Sequence, residues 1–142
     1  MAALTPTVPD KVEVLANVNT VLDWDLSSPD VPSAADSVAV VEQFTAYSQV
    51  LAKDLRTLCL SILADSEVGV RARSILGETS GRLSAPLPSP LTDRYAARRA
   101  QNLARLIQGL LRATAQVREA QERAVSQLTT HSTPKGNGCS SP

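Results

Sequence analysis

The chain predicts an all-α fold: a four-helix bundle, mostly antiparallel, with a long C-terminal helix and a disordered tail. Three observations predict it. Prolines stand at positions 6, 9, 29, 32, 86, 88, 90, 134 and 142, and because proline breaks helix interiors these positions mark the gaps between elements. The segments between them repeat apolar residues at three-to-four spacing and lack alternating β-branched runs. Hydrophobic residues make up 43% of the chain but aromatics only 3%, so the core is aliphatic. A length of 142 residues is one domain's worth. Residues 1–9 read as a flexible N-terminus, 10–128 as the bundle and 129–142 as the tail.

The first helix is expected from Asp10 to Asp23, with Pro9 as its first-turn residue and Val14, Val18, Val21 and Leu22 as its apolar stripe. An acidic connection, "DWDLSSPDVPS", follows. The second helix starts between Ser33 and Ser37 and runs to Ala64. Its seam is Val41, Phe44, Ser48, Leu51, Leu55, Leu58 and Ile62, the spacing of a helix packed lengthwise on its neighbours. Near its end "LCLSIL" is apolar nearly all round. Leu60 projects opposite the seam there, so another element covers it or it belongs to an interface.

The third helix covers Ser66 to Leu83 and buries Val68, Ala72, Ile75, Leu76 and Leu83. Gly69, Gly77 and Gly81 each cost about 1 kcal/mol relative to alanine inside a helix, which makes it the weakest of the four. After the turn-like "SAPLPSP" the fourth helix runs from Thr92 to Leu128. Ala100, Leu103, Ile107, Leu110, Thr114, Val117 and Ala124 form its seam, widened by Leu106 and Leu111. It outreaches the second helix, so its last turns overhang the bundle and either fray or meet a partner. "TTHSTPKGNGCSSP" reads as a flexible polar tail.

Formal net charge is zero, so no global field draws the chain to nucleic acid or an anionic membrane. The charges are nonetheless divided: ten acids and three bases up to Glu67, four acids and eleven bases from Val68 onward. Opposite halves lying side by side would neutralise each other. Arg98, Arg105 and Arg112 fall on the face of the fourth helix farthest from its seam, flanked by Gln101, Asn102, Gln108 and Gln116. Steps of about 10 Å separate these three arginines, too far to clamp one phosphate but suited to tracking a polyanion. Asp93, Glu119 and Glu122 interrupt the basic run and stacking aromatics are scarce, which argues against nucleic acid and for a solvated face.

Other chemistry finds little footing. His131 is the sole histidine and the two cysteines, Cys59 and Cys139, are eighty positions apart, so no zinc set assembles within the chain. A calcium loop starting at Asp23 needs glycine sixth and glutamate twelfth; Ser28 and Ala34 stand there. Without a core histidine neither Cys59 nor a serine has its usual activating base, and Cys59 reads as a packed apolar residue. Asp54, beside the seam, reads as the partner of an arginine on a neighbouring helix. The sequence thus predicts no cofactor, no metal and no enzyme. With no leader and no membrane-spanning apolar run, it reads as cytoplasmic.

"ADSVAVVEQF" resembles the stretch of acyl carrier proteins in which a serine after aspartate carries the phosphopantetheine arm, with Asp36 and Ser37 in those places. The glycine that family places two residues before the aspartate is replaced by Ala34, and the helix that follows is too long. An Asp or Ser at a helix start is more simply a cap.

A broader likeness comes from segment order. "TVLDWDL" closes the first helix, and "VGVRARSILGETSGRLSAPLPSP" leads into "YAARRAQNLARLIQGLL". From Asp10 to Thr114 this resembles an actinobacterial family of small all-helical proteins with an unassigned domain, loosely catalogued with natural-product biosynthesis. The chain departs from that pattern in "SILGETS", where an Ala/Cys-rich version is common, and in the length of its fourth helix. The resemblance implies an actinobacterial origin and a setting near specialised metabolism; it lends no catalytic residues.

The leading expectation is therefore a non-enzymatic helical interaction or accessory module that binds a protein partner or a second copy of itself. Its interface candidates are Leu58, Leu60, Ile62 and Leu63, with Val117, Ala124 and Leu128. The alternative is a regulator holding nucleic acid or an anionic ligand through Arg98, Arg105 and Arg112. A small ligand between the helices stays open.

Overall fold

The computed structural model describes the backbone of residues 10–132 and the side chains of residues 10–128. Four helices follow in order: α1 (Lys11–Leu22), α2 (Ala34–Cys59), α3 (Glu67–Ser84) and α4 (Asp93–Ser132). Together they form the all-α bundle expected, with no strand among the described residues.

Each start is a side-chain cap. Asp10 accepts from the Val12 amide, Ser33 from Asp36, Ser66 from Gly69 and Thr92 from Tyr95, which satisfies amides that have no partner within the helix. Since Asp10 is the cap, the first turn of α1 begins at Lys11 and not at Pro9, which lies outside the described residues.

α2 is shorter than its apolar pattern. It stops at Cys59, five residues before Ala64. The Leu60, Ser61 and Ile62 amides bond three residues back, to Thr57, Leu58 and Cys59, and the Ser61 hydroxyl donates to the Leu58 carbonyl at 2.8 Å. This tightening uses up the terminal carbonyls, so the helix cannot continue. α4 errs the other way: helical backbone continues through Ser132, past Leu128 and across His131, where the tail was expected. The remainder of that tail, Cys139 included, lies outside the described residues.

Side-chain contacts give the directions. Asp93 at the start of α4 meets Ala34 at the start of α2, and Gln121 of α4 meets Leu58 and Ser61 at the end of α2. The two helices thus run parallel, and they share the largest contact in the molecule. α1 and α3 pack against both from the flanks, antiparallel to them: Gln101 of α4 reaches Val21 near the end of α1, and Arg99 reaches Arg82 near the end of α3. Neighbours in the chain are antiparallel, as expected.

The core sits along the α2–α4 contact. Val14, Val18, Val21, Phe44, Leu55, Ala100, Leu103, Ile107, Leu110 and Val117 are all but completely buried. Leu58, Ile62, Val68, Ile75, Leu76, Leu83 and Leu111 pack around them, half-buried. Ala124, placed on the α4 seam by its spacing, is exposed because no helix faces α4 at that level. Gln101, placed beside the solvated arginines, is instead buried.

Candidate functional site

α4 serves as the spine to which the other helix ends are tied, and this use of its polar residues decides which arginines are available for anything else. The Gln101 amide donates to the Val21 and Trp24 carbonyls at 3.0 and 2.9 Å, closing the end of α1. Gln121 donates to the Ser61 hydroxyl and the Leu58 carbonyl where α2 ends. Arg99 donates from Nη2 to the Arg82 and Ala85 carbonyls at 3.2 and 2.9 Å, closing the end of α3. A cation at a helix C-terminus also meets the negative end of its dipole. Arg94 holds the α1–α2 connection through the Leu26 carbonyl at 2.8 Å. Asp93 accepts from the Ala34 amide at 2.7 Å, placing a carboxylate at the positive end of α2.

The acidic first half and the basic second half do lie side by side, α2 along α4, but no ion pair joins one helix to another among the described residues. Among the described residues the ion pairs are Arg71–Glu67 and Arg82–Glu78, both at 2.8 Å and both within α3. Asp54 is exposed and pairs with no arginine; its charge acts on Tyr47, whose phenol is pushed above its ordinary value by burial first and by Asp54 second. The α4 arginines meet carbonyl oxygens at helix ends, and the sign asymmetry along the chain is left on the surface.

Arg98, Arg105 and Arg112 are exposed, but they do not form one uniform outer row. α3 lies beside the first two. Arg98 joins Arg82, Tyr95, Arg99 and Asn102 around a hollow of about 250 Å³ between the end of α3 and the first turns of α4. Arg105 lines a smaller recess of about 140 Å³ next to it, with Glu78, Arg82 and Asn102. Arg112 lines neither. Arg82, Arg99 and Tyr95 were not singled out from the sequence. The adjacent pair Arg98–Arg99 was a signal, since consecutive helix residues point about 100° apart and can serve a cap and a hollow at once.

Within the hollow the donors are unevenly committed. Glu78 takes Nε and Nη2 of Arg82. Arg99 spends Nη2 on the α3 carbonyls, and its Nε is buried with no protein acceptor. Arg105 touches Asn102 at 3.4 Å.

The apolar interface candidates divide similarly. Val117 is fully buried in the core and offers no surface, because α2 extends far enough to cover it. Leu58 and Ile62 are half-buried against the core. Leu60 is 85% exposed, Leu63 74% and Leu128 69%, and Ala124 is exposed as well. Val70 and Val125, not foreseen, are exposed alongside them. Because Gln121 fastens α4 to the end of α2, and α3 starts just after, these residues gather at one pole of the bundle.

Ser37 is fully buried, so a prosthetic arm has no hydroxyl to attach to. Cys59 is a buried free thiol. No cluster of three or more His, Cys, Asp or Glu occurs among the described residues, and no helix there is long and apolar enough to cross a membrane. Comparison of the chain with family models, curated proteins and solved structures finds no match in any of the three.

Proposed function

We propose that the chain is a non-enzymatic helical interaction module that associates with a second copy of itself through the pole where α2 ends, α3 begins and α4 overhangs. One observation carries this reading: five large aliphatic side chains, Leu60, Leu63, Val70, Val125 and Leu128, are each more than half exposed at that pole. Exposed apolar side chains grouped at one end of a bundle mark a candidate interaction surface. Beyond Gln121, α4 extends through Ser132 for about 16 Å, past the end of α2. Its seam positions Ala124 and Leu128 continue the core spacing into solvent.

The occupant follows from charge. Arg118, Glu119, Glu122 and Arg123 place two cations and two anions around the start of the overhang, and none of them makes an ion pair among the described residues. A surface balanced in this way sets no net repulsion against its own copy, so a second chain can dock on the apolar side chains. Two reciprocal contacts, each overhang on the other copy's α2–α3 turn, supply the double patch that a two-fold dimer uses. The setting near specialised metabolism implied by the segment resemblance belongs to the same proposal.

Light scattering and sedimentation over a range of concentrations test it. The wild-type chain is expected to dimerise, and Leu60→Glu or Leu128→Glu to give a monomer with unchanged helical circular dichroism. A wild-type monomer throughout that range would overturn the reading.

A further inference from the structure

We propose that the hollow between the end of α3 and the start of α4 binds a small tetrahedral oxyanion of the phosphomonoester class, held by Arg82, Arg98 and Arg99. It lies at the opposite pole from the apolar surface, so it stands or falls independently of self-association. Three guanidinium groups from two helices line one space. Each keeps a donor that the protein does not use. Among the described residues the Arg98 side chain makes no hydrogen bond or ion pair, Arg82 keeps Nη1 after Glu78 takes its other edge, and the buried Arg99 Nε finds no acceptor. Arg99 Nε is closed to solvent in this geometry, so an arriving oxygen reaches it through a shift of the Arg99 side chain, which would give a rare and unfavourable unpaired N–H its acceptor.

The opposing terms are identifiable and smaller. Glu78 stands beside the hollow, but its carboxylate is already bound to Arg82. The negative end of the α3 dipole also lies here, amounting to about half a charge, and Arg99 covers its carbonyls. On the other side Tyr95, Arg98 and Arg99 belong to the first two turns of α4, whose dipole end is positive. Cations therefore outweigh anions around the space.

Shape selects the class. Arginine forks match phosphate oxygens, and three of them around one space suit the three terminal oxygens of a phosphate better than the two coplanar oxygens of a carboxylate. A volume of about 250 Å³ accommodates a phosphate with a small organic group. Tyr95, 40% exposed at the wall, offers a ring face to that group.

The test titrates the full chain with phenyl phosphate and with inorganic phosphate at fixed ionic strength, read by calorimetry and phosphorus NMR. Saturable one-to-one binding is expected. Arg98→Gln should weaken it by about tenfold and Arg112→Gln should leave it unchanged. The Arg98 side chain is exposed and makes no hydrogen bond or ion pair with the described residues, so its loss is expected to spare the fold, which circular dichroism checks. Arg99→Lys keeps the charge but removes the fork, and is expected to weaken binding while the helix content holds. Absence of saturable binding, or an equal response to acetate, would overturn the proposal. So would equal losses in Arg98→Gln and Arg112→Gln. Binding of a single-stranded oligonucleotide that depends on Arg105 and Arg112 as much as on Arg98 would assign the anion site to the row and not to the hollow.

Discussion

Gln101 is 6% exposed and serves the Val21 carbonyl of α1 and the Trp24 carbonyl just past its end, both more than seventy residues earlier in the chain. A buried amide in that position is stabilising only while both partners stay matched, and its removal leaves acceptors facing an apolar wall. Gln101→Leu keeps the shape and deletes the donors; it is expected to cost about 1–3 kcal/mol in urea denaturation. Gln108→Leu, on the exposed face, should move stability by less than about 0.5 kcal/mol. Tyr47 gives a second prediction at this scale. Its phenol is raised above 10.0 by burial and by Asp54, so the unfolded chain loses that proton first as pH rises. The contribution is complete below the unfolded value and is lost as pH climbs through the raised folded value. Denaturation midpoints of the wild type relative to Tyr47→Phe should therefore decline as pH passes above about 10. A difference that stays flat, or that moves the other way, would show that Tyr47 is not held in its neutral form.

Among the elements, α3 separates two kinds of glycine that the sequence could not tell apart. A Cβ on Gly69 would run into the carbonyl oxygen of Leu63 and approach the Ser66 hydroxyl at 3.0 Å, because the capping turn folds directly over it. A Cβ on Gly77 or Gly81 meets nothing within 4 Å. Gly77→Ala and Gly81→Ala are expected to stabilise the chain by about 0.5–1 kcal/mol each, through helix propensity and a less free unfolded chain. Gly69→Ala should destabilise it; thermal unfolding of the three variants orders them. The same contrast shows what can be read from one dimension. Val14, Val18, Val21, Phe44, Leu55, Leu103 and Ile107 declare a buried face by spacing alone, since three-to-four recurrence is a local property of the helix. Where α2 stops is set by Ser61 competing for the Leu58 carbonyl, which an apolar run such as "LCLSIL" conceals. The roles of Arg99 and Gln121 depend on partners 14 to 63 residues away, and no periodicity reports those.

For the molecule as a whole, the length of α4 sets the two proposed sites apart in space. Its first turns, tied to the end of α3, build the arginine hollow; its middle supplies the core; its last turns leave the bundle. If the exposed pole joins two copies, association is linked to folding, because only the folded chain assembles the pole from α2, α3 and α4. Mass action then makes stability depend on concentration. Raising the chain from near its dissociation constant to roughly a hundred times that value adds on the order of 2 kcal/mol, a Tm increase of about 5 °C for a domain of this size. Leu128→Glu should abolish that dependence and leave the dilute Tm unchanged, since Leu128 is 69% exposed and supports no part of the core. Val117→Glu should behave differently, lowering the Tm at every concentration by burying an unpaired carboxylate at a site with no exposed surface. Calorimetry across the concentration range distinguishes them. A concentration-dependent Tm that persists in Leu128→Glu would move the contact away from the overhang, and its persistence in Leu60→Glu as well would move it off this pole altogether.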